Sequence, residues 1–157
     1  MKGLCVWRIC FNGDLGLLAL PYGSTLGSGR WHLPPPSGVP VVYAAASRAL
    51  AQLEKRAHAN GIAPANQALI RLELPDTPLQ NASQSYNLQP HWRDSEAYTQ
   101  ALGVQWGRAT ASLGLWVPSF FEPQEQNLLI NPAHPRYTEI NIIIETARFE
   151  FDRRLFS

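Results

Sequence analysis

VPVVYAAASRALAQLEKRAHANG, residues 39–61, decides the fold. Val39, Val41, Val42 and Tyr43 are a β-prone run, and Ser47 is a good helix N-cap. The residues after it predict a helix that Asn60 and Gly61 end. The segment is therefore a strand feeding a helix. On that helix Leu50, Leu53 and Ala57 form an expected apolar stripe, and Glu54 lies only about 40° around the wheel from Leu50. A carboxylate is thus aimed at the packed side, where desolvation is costly unless something pairs with it or hydrogen-bonds to it.

On either side of this unit the pattern is mostly strand. Leu4 to Cys10 predicts a first strand, with Val6 and Arg8 facing one way and Trp7 and Ile9 the other. In QALIRLELP, residues 67–75, Ala68, Ile70, Leu72 and Leu74 share a face, and Pro75 stops the run. LWVPS ends a strand at Pro118 and puts Ser119 at its exit, while NLLINP, INIII and RFEF add further strands. Ser95 to Ala111 predicts a helix interrupted at Gly103 and Gly107. The segment from Asn12 to Pro40, with its glycines and Pro34, Pro35 and Pro36, predicts a long connection with little regular structure. Such loops are uncommon in compact domains unless they work, and this one carries Tyr22, Arg30, Trp31 and His32. No repeat or linker divides the chain, so the expectation is one α+β domain over residues 1–157, a mixed central sheet with flanking helices.

Composition narrows the function classes. At 157 residues with 45% hydrophobic and 16% charged residues the chain builds one sizeable core, and no run reaches a membrane span. The net charge of +1 is scattered, which gives no footprint for duplex nucleic acid. The start MKGLCVWRIC does not resemble a secretory leader, and cytoplasmic residence is expected. Cys5 and Cys10, about 17 Å apart along a strand, are expected as free thiols. The histidines at 32, 58, 91 and 134 lack ligand spacing, so no metal is expected.

The candidate site gathers an anion clamp, aromatic rings and one acid. Arg30 follows Gly27, Ser28 and Gly29, where close backbone approach puts a planar cation beside a ligand; the same arginine suits a staple for its own loop. Glu54 is either a charge reserved for a cationic ligand or the i, i+4 partner of His58. Tyr22 and Tyr43 suit ring stacking or ordinary packing, and Ser119 either contacts ribose or phosphate or caps its own backbone. Asn127 and Asn131 read as backbone-bonding turn residues, and His134 as a secondary candidate. Among the tryptophans only Trp31 stands apart from the core, through its neighbour Arg30. These parts suit an enzyme acting on a phosphate-bearing nucleotide; a non-catalytic nucleotide-binding module is the other class.

WRI near the start, GSGRWH, VPVVYAAASRALAQLE, WVPS, NLLINPAHPRY and FEFDRRLF together resemble the successive motifs of the RES domain, over nearly the whole chain. The family is named for an Arg, a Glu and a Ser, which fall on Arg30, Glu54 and Ser119. The resemblance implies a fold similar to ADP-ribosylating toxins and a role as the toxin of a bacterial toxin-antitoxin pair. It further implies NAD as substrate, consumed by hydrolysis or phosphorolysis or used in ADP-ribosyl transfer to a protein, and an Xre-like antitoxin as partner. By the same resemblance Arg30 clamps phosphate, Tyr22 and Tyr43 contact the ligand, Glu54 is catalytic and Ser119 is the polar strand-end residue. Two departures follow Arg30: His32 stands where the family has an asparagine, and LPPPSG replaces a short glycine turn. For His32 two roles are open, a phosphate contact or a cover for the prolines.

Overall fold

The computed structural model describes residues 3–156. Seven strands form one sheet: β1 (Cys5–Phe11), β2 (Val42–Ala45), β3 (Gln67–Glu73), β4 (Gln80–Asn81), β5 (Gly114–Pro118), β6 (Gln126–Ile130) and β7 (Asn141–Phe149). Their order is β4-β5-β6-β2-β1-β3-β7, antiparallel throughout except for the parallel pair β4–β5. The helices are α1 (Arg48–Ala57), the single turn α2 (Ala82–Ser85) and α3 (Glu96–Ala109). This is the expected mixed α+β domain built on a central sheet.

Period-two alternation explains where the core sits. Val6 and Cys10 of β1, Val42 and Ala44 of β2, Ala68, Ile70 and Leu72 of β3, and Leu128 and Ile130 of β6 all bury on one face, closed by Tyr137 and Ile140. The intervening residues point to the other face, where two separate apolar clusters form. Ile9, Ala45 and Leu69 pack under Leu50 and Ala51 of α1. Val41, Leu115, Val117 and Leu129 pack under Leu102 and Trp106 of α3, together with Trp31 and Trp92. Burying each such large side chain contributes roughly 1.5–3 kcal/mol. A valley therefore remains between the two helices.

Several elements differ from expectation. The first strand runs one residue later, and INIII and RFEF belong to the single strand β7. The short pair β4 and α2 forms in a stretch where no element is expected. The helix α1 is capped by the Ser47 side chain, which accepts from the Leu50 amide at 3.0 Å, and gives way at His58 before Asn60 and Gly61 turn the chain through positive φ. The helix is rotated from the expected stripe: Leu53 is 41% exposed and Ala57 is exposed, while Leu50, Ala51 and Glu54 face inward. The helix α3 is not interrupted at Gly103 or Gly107. A Cβ on Gly103 would stand 1.6 Å from the Trp31 carbonyl oxygen, so the glycine serves close packing of the loop against the helix rather than a break. The long segment from residue 12 to residue 40 has, as expected, little regular structure beyond a 3-10 turn at Tyr22–Thr25.

Candidate active site

The valley holds a cavity of about 610 Å³, within the range of small-molecule sites. Its walls come from β1, β2, α1, the loop from Gly27 to His32, and the strand exit after β5. The sheet itself opens here. β1 and β2 are ladder-paired at Trp7↔Ala45 alone, and beyond that point Arg8 reaches across to donate from Nη1 to the Tyr43 carbonyl at 2.8 Å. A side chain thus supplies the hydrogen bond that a continued ladder would otherwise provide.

Glu54 projects into this cavity from α1. Its Oε1 accepts from Ser119 Oγ at 2.7 Å and from Asn127 Nδ2 at 2.7 Å. Both donors are neutral, so the carboxylate is oriented without being neutralised, and no Lys, Arg or His among the described residues forms an ion pair with it. Hydrogen bonds to a charged group contribute about 1.5–3 kcal/mol each, enough to hold one rotamer. His58 does not pair with the carboxylate: its Nδ1 lies 2.7 Å from the Glu54 backbone oxygen, and its ring packs edge-on against Phe121. The salt-bridged-face reading of Glu54 therefore fails.

Ser119 is fully buried at the exit of β5 and does not line the cavity. Its Oγ also accepts from the amides of Phe121 and Glu122, at 3.2 and 3.1 Å. The serine thus caps its own backbone and grips Glu54, and direct contact with ribose does not fit its burial. Asn127, read from sequence as a turn residue, holds Glu54 instead, whereas Asn131 behaves as expected, donating to the Gly107 carbonyl and accepting from the Ala133 amide. The signal for Asn127 lay in the alternation. With Leu128 and Ile130 in the main core, residue 127 must face the side that carries α1.

Arg30 lies on the opposite wall. Its guanidinium stands 4.3 Å from the centre of the Phe120 ring, and Nη2 donates to the Arg93 carbonyl at 3.2 Å. Nη1 is buried and has no hydrogen-bond partner among the described residues. The staple reading is seen in the bond to the Arg93 carbonyl, and Arg30 also lines the cavity. Trp31, expected to stand apart from the core, is buried against Trp92.

His32 takes neither of its two expected roles. It is buried, with Nε2 facing the Ser24 and Gly27 carbonyl oxygens at 3.0 Å each, which requires the hydrogen on Nε2. Nδ1 lies 2.6 Å from the Tyr43 hydroxyl, whose oxygen also accepts from the Trp31 amide. Gly29 makes room, since a Cβ there would crowd both His32 Nδ1 and the Tyr43 hydroxyl at 2.8 Å. Burial, against the lowering effect of the Trp31 amide and helped by the Glu96 and Glu54 charges, holds the Tyr43 hydroxyl well above the usual phenol range. Tyr43 is a rigid neutral wall of the cavity. Tyr22 is 65% exposed and does not line it, although its neighbours Gly23 and Ser24 do. His134 is turned to the Arg136 amide, away from the site. Among the described residues no three His, Cys, Asp or Glu side chains converge as metal ligands, both cysteines are free thiols, and no helix is long and apolar enough to cross a membrane.

Residues 6–152 match the family model of the RES domain. A protein named Prs ADP-ribosylating toxin from Sphingobium sp. (strain YBL2) is 42% identical over 118 residues, covering 72% of this chain and 71% of its own. A protein named Toxin Res from Pseudomonas putida is 38% identical over 156 residues, covering 98% and 100%. A second Toxin Res, from Yersinia enterocolitica, is 30% identical over 155 residues, covering 97% and 99%.

Proposed function

The chain belongs to the RES domain family, and from that premise we propose that it is the toxin of a type II toxin-antitoxin pair, cleaving the nicotinamide–ribose bond of NAD by hydrolysis or phosphorolysis. The observation that carries this reading is Glu54, a carboxylate oriented by two neutral donors and without an ion-pair partner among the described residues, inside a cavity that Arg30 also lines.

The chemistry follows from those charges. As the glycosidic bond breaks, nicotinamide leaves neutral with the bonding pair, and positive charge grows on the ribose. An anion already fixed beside that centre stabilises the transition state more than the ground state, which is what raises a rate. Glu54 supplies it, with Ser119 and Asn127 as positioning residues. Arg30, held by Phe120 and the Arg93 carbonyl on the wall of the same cavity, is the cation that meets the diphosphate. Tyr43 forms the wall against which a ring is braced. Tyr22 stands at the rim as the first aromatic that an incoming ligand meets.

The partner in this reading is an Xre-like antitoxin encoded next to the toxin. It covers the mouth of the cavity in the cytoplasm of the producing cell, where exposed Tyr22 and Leu26 flank the lining residues Gly23, Ser24 and Gly27. Kinship to the fold of ADP-ribosylating toxins belongs to the same proposal. A second reading, transfer of ADP-ribose to a protein, is favoured by the Sphingobium relative's name. Incubation with NAD in phosphate-free and phosphate-rich buffer, with mass analysis of small products and of candidate proteins, tests both. Free ADP-ribose or its 1-phosphate is the expected product. A modified protein in its place selects transfer, and NAD binding without nicotinamide release leaves only a nucleotide-binding module.

A further inference from the structure

A run of aromatic contacts follows one rim of the cavity from the arginine to the acid. The Arg30 guanidinium stands 4.3 Å from the Phe120 ring centre, Phe120 meets Phe121 at 5.4 Å, and Phe121 meets His58 at 5.7 Å. His58 ends α1 one turn after Glu54, and Phe120, Phe121 and His58 all line the cavity. Phe120 is already committed, because the Arg93 guanidinium lies 4.7 Å from the same ring centre and Trp92 packs at a steep angle to it. Phe121 has no cation over it among the described residues and is 40% exposed. Its plane and that of His58 are 87° apart, so the two rings make a corner in which a flat ligand ring stacks on one and turns its edge to the other.

We propose that Phe121 and His58 form the subsite of the leaving nicotinamide, Phe121 as the platform for its charged ring and His58 as the group that tells its carboxamide from a carboxylate. The assignment rests on the NAD-cleaving reading above. With the diphosphate at Arg30 and the ribose C1 at Glu54, the base attached to C1 falls at the α1 end of the rim, where the corner lies. In oxidised NAD that base is a pyridinium cation, and an open aromatic face attracts it; Phe120, with two guanidiniums, offers no such face. The His58 Nδ1 lies 2.7 Å from the Glu54 carbonyl, which can only accept, so Nδ1 carries a hydrogen and Nε2 of the neutral imidazole is an acceptor. A carboxamide N–H fits that acceptor, whereas the carboxylate of the nicotinic acid analogue of NAD brings a second acceptor and no donor. When the C1–N bond breaks, the electron pair neutralises the ring and the cation–π attraction lapses. The corner therefore grips substrate more than product and acts on KM more than on kcat.

Steady-state nicotinamide release by the whole protein tests both residues. Phe121→Leu is expected to raise KM for NAD about tenfold with a smaller change in kcat, and Phe121→Tyr, which keeps the ring face, to restore KM to within about twofold of wild type. Wild type is expected to prefer NAD over its nicotinic acid analogue by about tenfold in kcat/KM, and His58→Phe, which keeps a flat wall and removes the acceptor, to bring that ratio near one. Equal KM in wild type and Phe121→Leu, or a lowered kcat and unfolding midpoint with KM unmoved, overturns the platform. A preference absent from wild type, or unchanged in His58→Phe, overturns the carboxamide contact. A second arm is independent of turnover: calorimetric titration of NAD into Glu54→Gln, with and without Phe121→Leu, reads the same loss of affinity. If that loss is seen while wild type releases no nicotinamide, the NAD-cleaving reading alone is defeated; equal affinity in the two proteins removes the platform whatever the turnover.

Discussion

Two regions of the molecule use the same charged side chains in opposite ways. On the outer strands Arg71 Nε lies 3.1 Å from Glu145, Arg71 Nη1 lies 3.2 Å from Glu73, and Arg48 of α1 reaches Glu145 at 3.4 Å. In the cavity Arg8, Arg30, Lys55 and Glu54 form no ion pair among the described residues, although all four line one space. Partly exposed pairs such as those on β3 and β7 contribute about 0–1 kcal/mol and ask for nothing more. Unpaired charges in a cavity cost stability and stay useful only if a ligand supplies the counter-charge. The contrast separates what holds the sheet from what waits for a substrate.

The most direct way to break the contrast is Glu54→Gln, which removes charge and keeps volume. Nicotinamide release should fall by more than about 10²-fold with the unfolding curve unchanged. A folded variant that still turns over would end the catalytic assignment. Asn127→Ala comes next. With one of two donors gone, kcat should drop on the order of tenfold or more while KM for NAD moves little, since Asn127 acts through Glu54. A rise in KM at constant kcat would make Asn127 a ligand contact instead.

Arg30→Lys keeps the charge and loses the planar fork, and NAD affinity by calorimetry should weaken about tenfold. Unchanged affinity with lowered stability would leave only the loop staple to the Arg93 carbonyl. The smallest effect sharpens the other half of the comparison: Arg71→Gln should cost no more than about 1 kcal/mol by denaturant titration and leave nicotinamide release as it was. Activity lost there would mean that the outer strands and the cavity are not independent.

The sheet was largely legible because burial on one face writes itself as alternation, as in Ala68, Ile70 and Leu72, and Ser47 announced its helix through cap chemistry. Arg30 and Glu54 were legible as site candidates for a related reason, a flexible loop before a cation and an acid within an apolar stretch. What escaped were facts of juxtaposition. Glycines at 103 and 107 look like breaks locally, and only the Trp31 carbonyl pressed against Gly103 explains a continuous helix. Leu53 looked like core because an apolar residue beside Leu50 is expected to bury, yet the cavity draws Glu54 inward and turns Leu53 to solvent. Asn127 meets Glu54 across 73 residues of chain, a meeting fixed by the antiparallel register that sets Ala45 opposite Asn127. His32 and Tyr43 join the long loop to strand β2, a link that no local pattern announces.

The single bridge at Trp7↔Ala45 makes the sheet a pair of leaves, β4-β5-β6-β2 and β1-β3-β7, bound along a short seam. A continuous sheet resists shear along every strand, whereas this one concentrates its compliance on the line that passes through the cavity. Amide exchange should be fastest, within the sheet, along the unzipped half of that seam, and anything that pins the leaves together from inside the gap should slow it there first. A ligand in this cavity would act as the binding of a book as well as its contents.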